Sequence, residues 1–390
     1  MKKIIFLLCI FQTLSSNAQI WTQIATGSTK TLRDIKFLDA DNGWVIGDAG
    51  INIGEYGLIQ KTSNAGTSFT SQNTGYYNNN LKIAALNINT AWIVDGSINI
   101  RKTVDGGSNW TDVLPGPSPT FPYNKLNDIV FTDSNNGWTV GANGIIYKTS
   151  DGGSSWVLQT SGTARSLNNL FFVDSNVGFV VANLFPSEPQ VLKTINGGIT
   201  WSIISNPDPF YLIGSVFDEI YFINASTGFI SNGGRLFKTI NGGISWSNPI
   251  AISGQWFDNL FFTDSNSGWV SGTSGIYKTV DQGINWSLQL NFPSNQAITK
   301  LFFSDANHGW ACGTGGLLFK YSNACQYTLS PTGTITTNQK AATTVISTGI
   351  NTIPNASNVI YQGGNYVQLN TGFQAKSGAV FTAKILNGCL

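Results

Sequence analysis

Apolar and polar residues alternate along most of the chain in short runs, broken at close intervals by Gly, Asn, Asp and Ser. The stretch LNDIVFTDSNNGWTVGANGIIYKTSDGGSSWVLQTSG, residues 126–162, shows the pattern clearly. Period-two alternation reads LNDIVF, WTVGA, IIYKT and SWVLQ as four strands, which we label A to D, and DSNNG, NG and DGG as the turns between them. No long helical periodicity occurs anywhere, so the chain is read as all-β.

The same sentence repeats. Its C–D turn returns as KTSNAGTSF, KTVDGGSNW, KTSDGGSSW, KTINGGITW, KTINGGISW and KTVDQGINW, with the opening lysines at 61, 102, 148, 193, 238 and 278 and a degenerate copy at Lys320. Successive spacings of 41, 46, 45, 45, 40 and 42 residues match one four-stranded propeller blade. The A–B turn returns as FLDADNGW, FTDSNNGW, FVDSNVGF, FINASTGF, FTDSNSGW and FSDANHGW, with LNINTAW as the degenerate second copy. At the start, WTQIATG from Trp21 resembles a strand D with no A, B or C before it, and the last repeat stops after LLFKY without a strand D. The two deficits are complementary. They predict a seven-bladed β-propeller whose N-terminal strand completes the last blade and leaves no free sheet edge.

The repeated turn reads as a joint rather than as an active site. Asp or Asn at its fourth position can accept bonds from N–H groups two or three residues on, Gly permits positive φ, and Trp buries a large ring as strand D begins. The combination F-x-D-x-x-x-G-[WF] with K-T-x-[DN]-G-G-x-x-W resembles the Asp-box, or bacterial neuraminidase repeat, propellers, and within them the photosystem II assembly and stability factor-like family. That resemblance spans residues 20–322 and implies a non-enzymatic assembly or binding role; related propellers include sialidases and endoglucanases. A sialidase of that type uses three converging arginines. Arg33, Arg101, Arg165 and Arg235 are scattered over strand A, strand C, the approach to a strand A and a B–C turn, which argues against it. A glycosidase using a pair of carboxylates is the alternative reading.

Composition narrows the choice further. With 11% charged residues and a net charge of +1, the chain lacks a basic nucleic-acid footprint. His308 is the only histidine and stands in a turn slot that Asn136, Val177 and Ser267 fill elsewhere, which leaves little for His-based metal or triad chemistry. The DxDNG and DSNxG turns lack the acid of a calcium loop, so no metal and no cofactor are expected. MKKIIFLLCIFQTLSSNA, residues 1–18, reads as a cleaved secretory signal that takes Cys9 with it, and no later apolar run is long enough for a transmembrane segment.

After the propeller, expected over 19–322, the texture changes at residues 325–390. The segment VIYQGGNYVQLNTGFQAKSGAVFTAKI resembles a three-coathanger-stack β module. Cys325 and Cys389 bracket this small β-rich module, which points to a disulfide between them in an oxidising compartment and leaves Cys312 as a buried thiol.

Ligand recognition is expected where the A strands line the channel mouth. Their second and third positions read Arg33 and Asp34, Lys82 and Ile83, Asn127 and Asp128, Asn168 and Asn169, Asp218 and Glu219, Asp258 and Asn259, and Thr299 and Lys300. This sets a basic arc, Arg33 and Lys82, against an acidic one, Asp218, Glu219 and Asp258. Tyr123, Phe185, Phe210 and Tyr211 in the longer inserts are candidate rim contacts. The chain is therefore read as an exported, non-enzymatic binding or assembly scaffold for a protein partner or surface glycan, with polysaccharide or sialidase-like hydrolysis by the mouth carboxylates as the rival.

Overall fold

The structure is a computed structural model that describes residues 19–49, 56–72, 82–113, 125–184, 187–204, 206, 217–232, 234–247, 250, 257–292 and 296–323, together with nine short strands between Thr328 and Ile385. Side chains are described between Trp21 and Ser322 within those ranges, Asp258 excepted. The leader, the four insert aromatics, Cys325 and Cys389 lie outside the described residues.

Residues Trp21–Tyr321 form one unit. It contains six four-stranded sheets and one of three strands, the seven blades. Blade 3 is representative, with antiparallel strands Leu126–Phe131, Gly137–Gly141, Ile146–Thr149 and Val157–Gln159 in that order. In blade 5 the outermost place is held by Ile250, which bridges Leu236. Blade 7 takes its outer strand from Gln19–Gln23, so the first described strand completes the last sheet of the propeller.

The core lies between neighbouring sheets. Trp138, Val140 and Ile146 of blade 3 pack on Leu167, Leu170, Phe172, Val180, Ala182 and Leu192 of blade 4. Alternation explains this: each sheet is buried on both faces, so strand B is buried throughout while strand D meets solvent.

The repeated turn is the joint that binds one blade to the next, and its hub is the threonine. In blade 3, the Thr149 hydroxyl donates to Asp151 Oδ1 at 2.8 Å and accepts the Gly153 N–H at 2.8 Å. Asp151 Oδ1 in turn accepts the N–H groups of Ser154 and Ser155, both at 2.9 Å, three and four residues on rather than two or three. The lysine reaches forward. Lys102 of blade 2 lies 5.3 Å above its own Trp92 ring and donates to the Gly152 carbonyl of blade 3 at 2.8 Å. Trp92 also stacks at 4.0 Å on Phe131, the last residue of strand A in blade 3, and Phe131 meets Trp156 edge-on. Lys193 and Lys238 make the same forward bond to the carbonyls of Gly242 and Gln282, each at 2.8 Å. The turn glycines are forced by this packing: Gly107 has φ +88°, and a Cβ there would stand 3.1 Å from the Trp44 ring of the preceding blade.

The C-terminal strands form three parallel sheets of three strands. Thr344–Ser347 pairs with Thr328–Leu329 and Tyr366–Leu369, and Asn358–Gly363 pairs with Gln339–Ala341 and Val380–Ile385. Each sheet takes one strand from each successive triplet, so the other two strands of a triplet serve as the crossover that parallel neighbours require.

Candidate functional site

Strand A of each blade begins at the channel mouth, and its first turn of sequence builds the site. In blades 1, 3, 4, 6 and 7 the pairing with strand B slips at the second residue, between Leu32 and Asp34, Leu126 and Asp128, Leu167 and Asn169, Phe257 and Asn259, and Ile298 and Lys300. These bulges release Arg33, Asn127, Asn168, Asp258 and Thr299 from the ladder. Blade 2 is one residue out of the expected alignment. Ala84 pairs with Trp92 as Lys36 pairs with Trp44, which makes Lys82 a third-position and Ile83 a fourth-position residue.

The third-position side chains stitch the ring together. Asp34 accepts its neighbour Ile35 N–H at 2.9 Å and the Ile83 N–H of blade 2 at 3.0 Å. Asp128 does the same with Ile129 and with Leu170 of blade 4, both at 2.9 Å. Asn169 accepts Ile220 N–H at 3.1 Å and donates to Glu219 Oε2 at 3.2 Å, while Asn259 donates to the Ile298 carbonyl at 3.4 Å. Lys300 crosses from blade 7 to blade 5 and binds Glu219 Oε1 at 2.8 Å.

Two residues along strand A, Phe171, Tyr221, Phe261 and Phe302 form a crescent of touching rings, with centroids 4.8, 5.4 and 5.6 Å apart in turn. Lys36 ends the crescent with its ammonium 4.8 Å from the Phe302 centroid, and burial lowers its pKa.

These bonds redistribute the charge expected at the mouth. Arg33 is not a free member of a basic arc: its guanidinium is bidentate on Asp48, at 2.6 to 2.9 Å. Glu219 is likewise spent on Lys300 and Asn169. Burial pushes the Asp128 carboxyl up to about 6, against the pull of Lys82 and Lys300. Burial opposes the Lys300 ammonium, yet Glu219, Asp34 and Asp128 together raise its pKa. Asp218 lines the mouth beside Glu219. Among the described residues Lys82 makes no hydrogen bond or ion pair, and the exposed Asn168 amide makes none either.

Around these groups lies a cavity of about 590 Å³ lined by Arg33, Lys82, Asn127, Asn168, Asn169, Asp218, Glu219, Asn259 and Thr299. Asn183, Phe217, Ala297, Ile298 and Thr314 complete the wall and were not expected from the sequence. Asn183 carried a signal: an amide at the end of strand B can imitate a strand, and it exchanges bonds of 3.0 and 3.1 Å with the Phe217 backbone. Asn127 donates to the Leu167 carbonyl at 2.9 Å and to the Ser166 hydroxyl at 3.2 Å, and lines the cavity. His308 sits apart, half-buried at the start of strand B in blade 7, with Nδ1 2.9 Å from the Asp305 carboxylate. Arg101 is buried in blade 2 with Asp95 and Asp112.

The mouth is thus a polar cup with amides on several sides and, among the described residues, one unpaired ammonium. Such a cup suits a carboxylate or an extended chain of peptide groups better than it suits acid–base chemistry.

Residues 120–251 match the family described as photosynthesis system II assembly factor YCF48. No curated protein sequence matches the chain. Among solved structures, the chain is similar to a YCF48 bound to D1 peptide, with TM-score 0.62 and 19% identity over 77% of this chain and 96% of that one. YCF48 from Cyanidioschyzon merolae gives TM-score 0.61 and 18% identity, covering 77% of this chain and 98% of that one. A GH74 xyloglucanase from Xanthomonas campestris gives TM-score 0.55 and 13% identity, covering 70% of this chain and 50% of that one. At these identities the structures share the fold. The chain is a seven-bladed β-propeller that over residues 120–251 is similar to the photosynthesis system II assembly factor YCF48 family.

Proposed function

We propose that the propeller is a non-enzymatic scaffold that captures a segment of a protein partner in the channel mouth. One observation carries this reading: Asp34, Asp128 and Glu219 are committed to the frame, whereas Lys82 and Asn168 face the cavity unpaired. Lys82 takes a carboxylate of the partner, and Asn127 and Asn168 take its peptide groups. The similar YCF48 that carries a D1 peptide supports a polypeptide ligand over a sugar. Hydrolysis by a carboxylate pair needs two acids free to exchange protons; Asp34 and Asp128 are held by backbone N–H groups, Glu219 by Lys300 and Asn169, and Asp218 at the mouth also has a partner. The protein acts outside the cytoplasm, after loss of residues 1–18, with its C-terminal module closed by Cys325 and Cys389.

The test is titration with fluorescent acidic, neutral and basic peptides, beside reducing-end release on plant and bacterial polysaccharides. Lys82→Ala should weaken the acidic peptide about tenfold, the loss of one charge-assisted bond. New reducing ends, or glycan retention with no peptide binding, would overturn the reading. Intact mass of the exported protein, before and after reduction, checks the cleavage after Ala18 and the disulfide.

A further inference from the structure

The face opposite the mouth carries a second asymmetry. Strands A and C both run away from the mouth, so the A–B turns and the Asp-boxes share the far face. The boxes of blades 4, 5 and 6 hold aliphatic residues at two solvent-facing positions, Ile195 and Ile199, Ile240 and Ile244, and Val280 and Ile284, each 68 to 74% exposed. The same positions hold Ser63 and Thr67 in blade 1 and Ser150 and Ser154 in blade 3.

The turn does not require the aliphatic groups. The hub bond from the second box glycine to threonine is 2.8 Å in blade 3, which has the serines, and 2.8 Å in blade 4, which has the isoleucines. Three adjoining boxes therefore expose branched aliphatic side chains that contribute nothing to the joint. They are neighbours in one arc, linked by the bonds from Lys193 to Gly242 and from Lys238 to Gln282. An exposed apolar arc of this kind marks a contact surface.

Charge decides what fits. Asp174 and Asp264 in the A–B turns adjoin their boxes through the Gly197 to Asn176 and Gln282 to Asn266 backbone bonds, and Asp281 lies in a box itself. Bonds from the Asn285 backbone and amide hold the Asp281 carboxyl down at about 2. The lysines of the arc offset these acids only in part: Lys238 acts on Asp281 and Lys278 on Asp264, while Lys193 and Lys238 direct their ammonium groups to carbonyls beneath and Lys278 lies over the Trp269 ring.

We propose that the Asp-box arc of blades 4 to 6 docks a cationic amphipathic segment of another protein, whose apolar side covers the isoleucines and whose basic side meets Asp174, Asp264 and Asp281. This surface is separate from the mouth and does not depend on what the mouth binds.

The probes are a labelled amphipathic Leu/Lys helical peptide and its Leu/Glu counterpart. The wild-type protein should bind the Leu/Lys peptide about tenfold more tightly, with affinity falling as salt rises. Replacing Ile195, Ile199, Ile240 and Ile244 together by Ser, the residue of blade 3, should weaken it about tenfold at unchanged melting temperature. Asp174→Asn with Asp264→Asn leaves the turn caps in place, since Asn224 caps the same turn in blade 5, and should remove most of the salt dependence. That pair keeps the test decisive if the fourfold variant fails to fold. Equal binding of the two peptides, binding unchanged in both variants, or a wild-type oligomer that the serine variant converts to monomer would overturn the proposal.

Discussion

Trp21 and Phe303 meet edge to face, their ring centroids 5.9 Å apart, and join the first described strand to strand A of the last blade. Trp21 also leans on Tyr321 at 5.3 Å, and so fills in blade 7 the place that Trp156 fills in blade 3. Trp21→Ala should cost about 3–5 kcal/mol, as large aromatic truncations in a core do. Thermal melting measures the loss, and limited proteolysis should then find its first cuts in blade 7.

The forward lysine predicts a smaller effect. Lys102→Met keeps the apolar stem but removes both the Gly152 bond and the cation over Trp92. A loss of about 1–2 kcal/mol is expected. Denaturant unfolding should show it without a change in slope.

Blade 1 invites the opposite change. Ala65 holds φ 60° where blades 2 to 5 place a glycine, a left-handed conformation that a Cβ makes costly. Ala65→Gly should raise stability by about 1 kcal/mol, read as a higher melting temperature.

Asp128 gives the ring a pH dependence. Its folded value of about 6 stands above the ordinary 3.8 because burial disfavours the carboxylate. A raised acid holds its proton more tightly in the folded chain, so its contribution to stability is full below about pH 4 and is lost as pH rises through 6. The span is about 3 kcal/mol at most. Asp128→Asn should flatten this segment of the melting temperature against pH, and carbon-detected NMR should find the wild-type carboxyl titrating near 6.

Most of the architecture was legible because each blade repeats its strand alternation and its box, and because Trp21 and Lys320 sit on complementary fragments. The site was less so. Leu81 before Lys82 imitates the apolar first residue of the other A strands, and only the pairing of Ala84 with Trp92 shows the shift. The Arg33 to Asp48 pair was within reach, since Asp48 directly follows strand B and its N–H returns to Thr31. The forward reach of the box lysines was not: it depends on how far one blade stands from the next, a distance that no local pattern encodes.

The strand Gln19–Gln23 gives the ring a clasp as well as an edge. Of the described propeller strands it comes first in the chain yet pairs with Leu318–Asn323 of the last blade. Until the two meet, six blades can stack but the circle stays open, so the clasp has to overcome the closure entropy of a span of about three hundred residues.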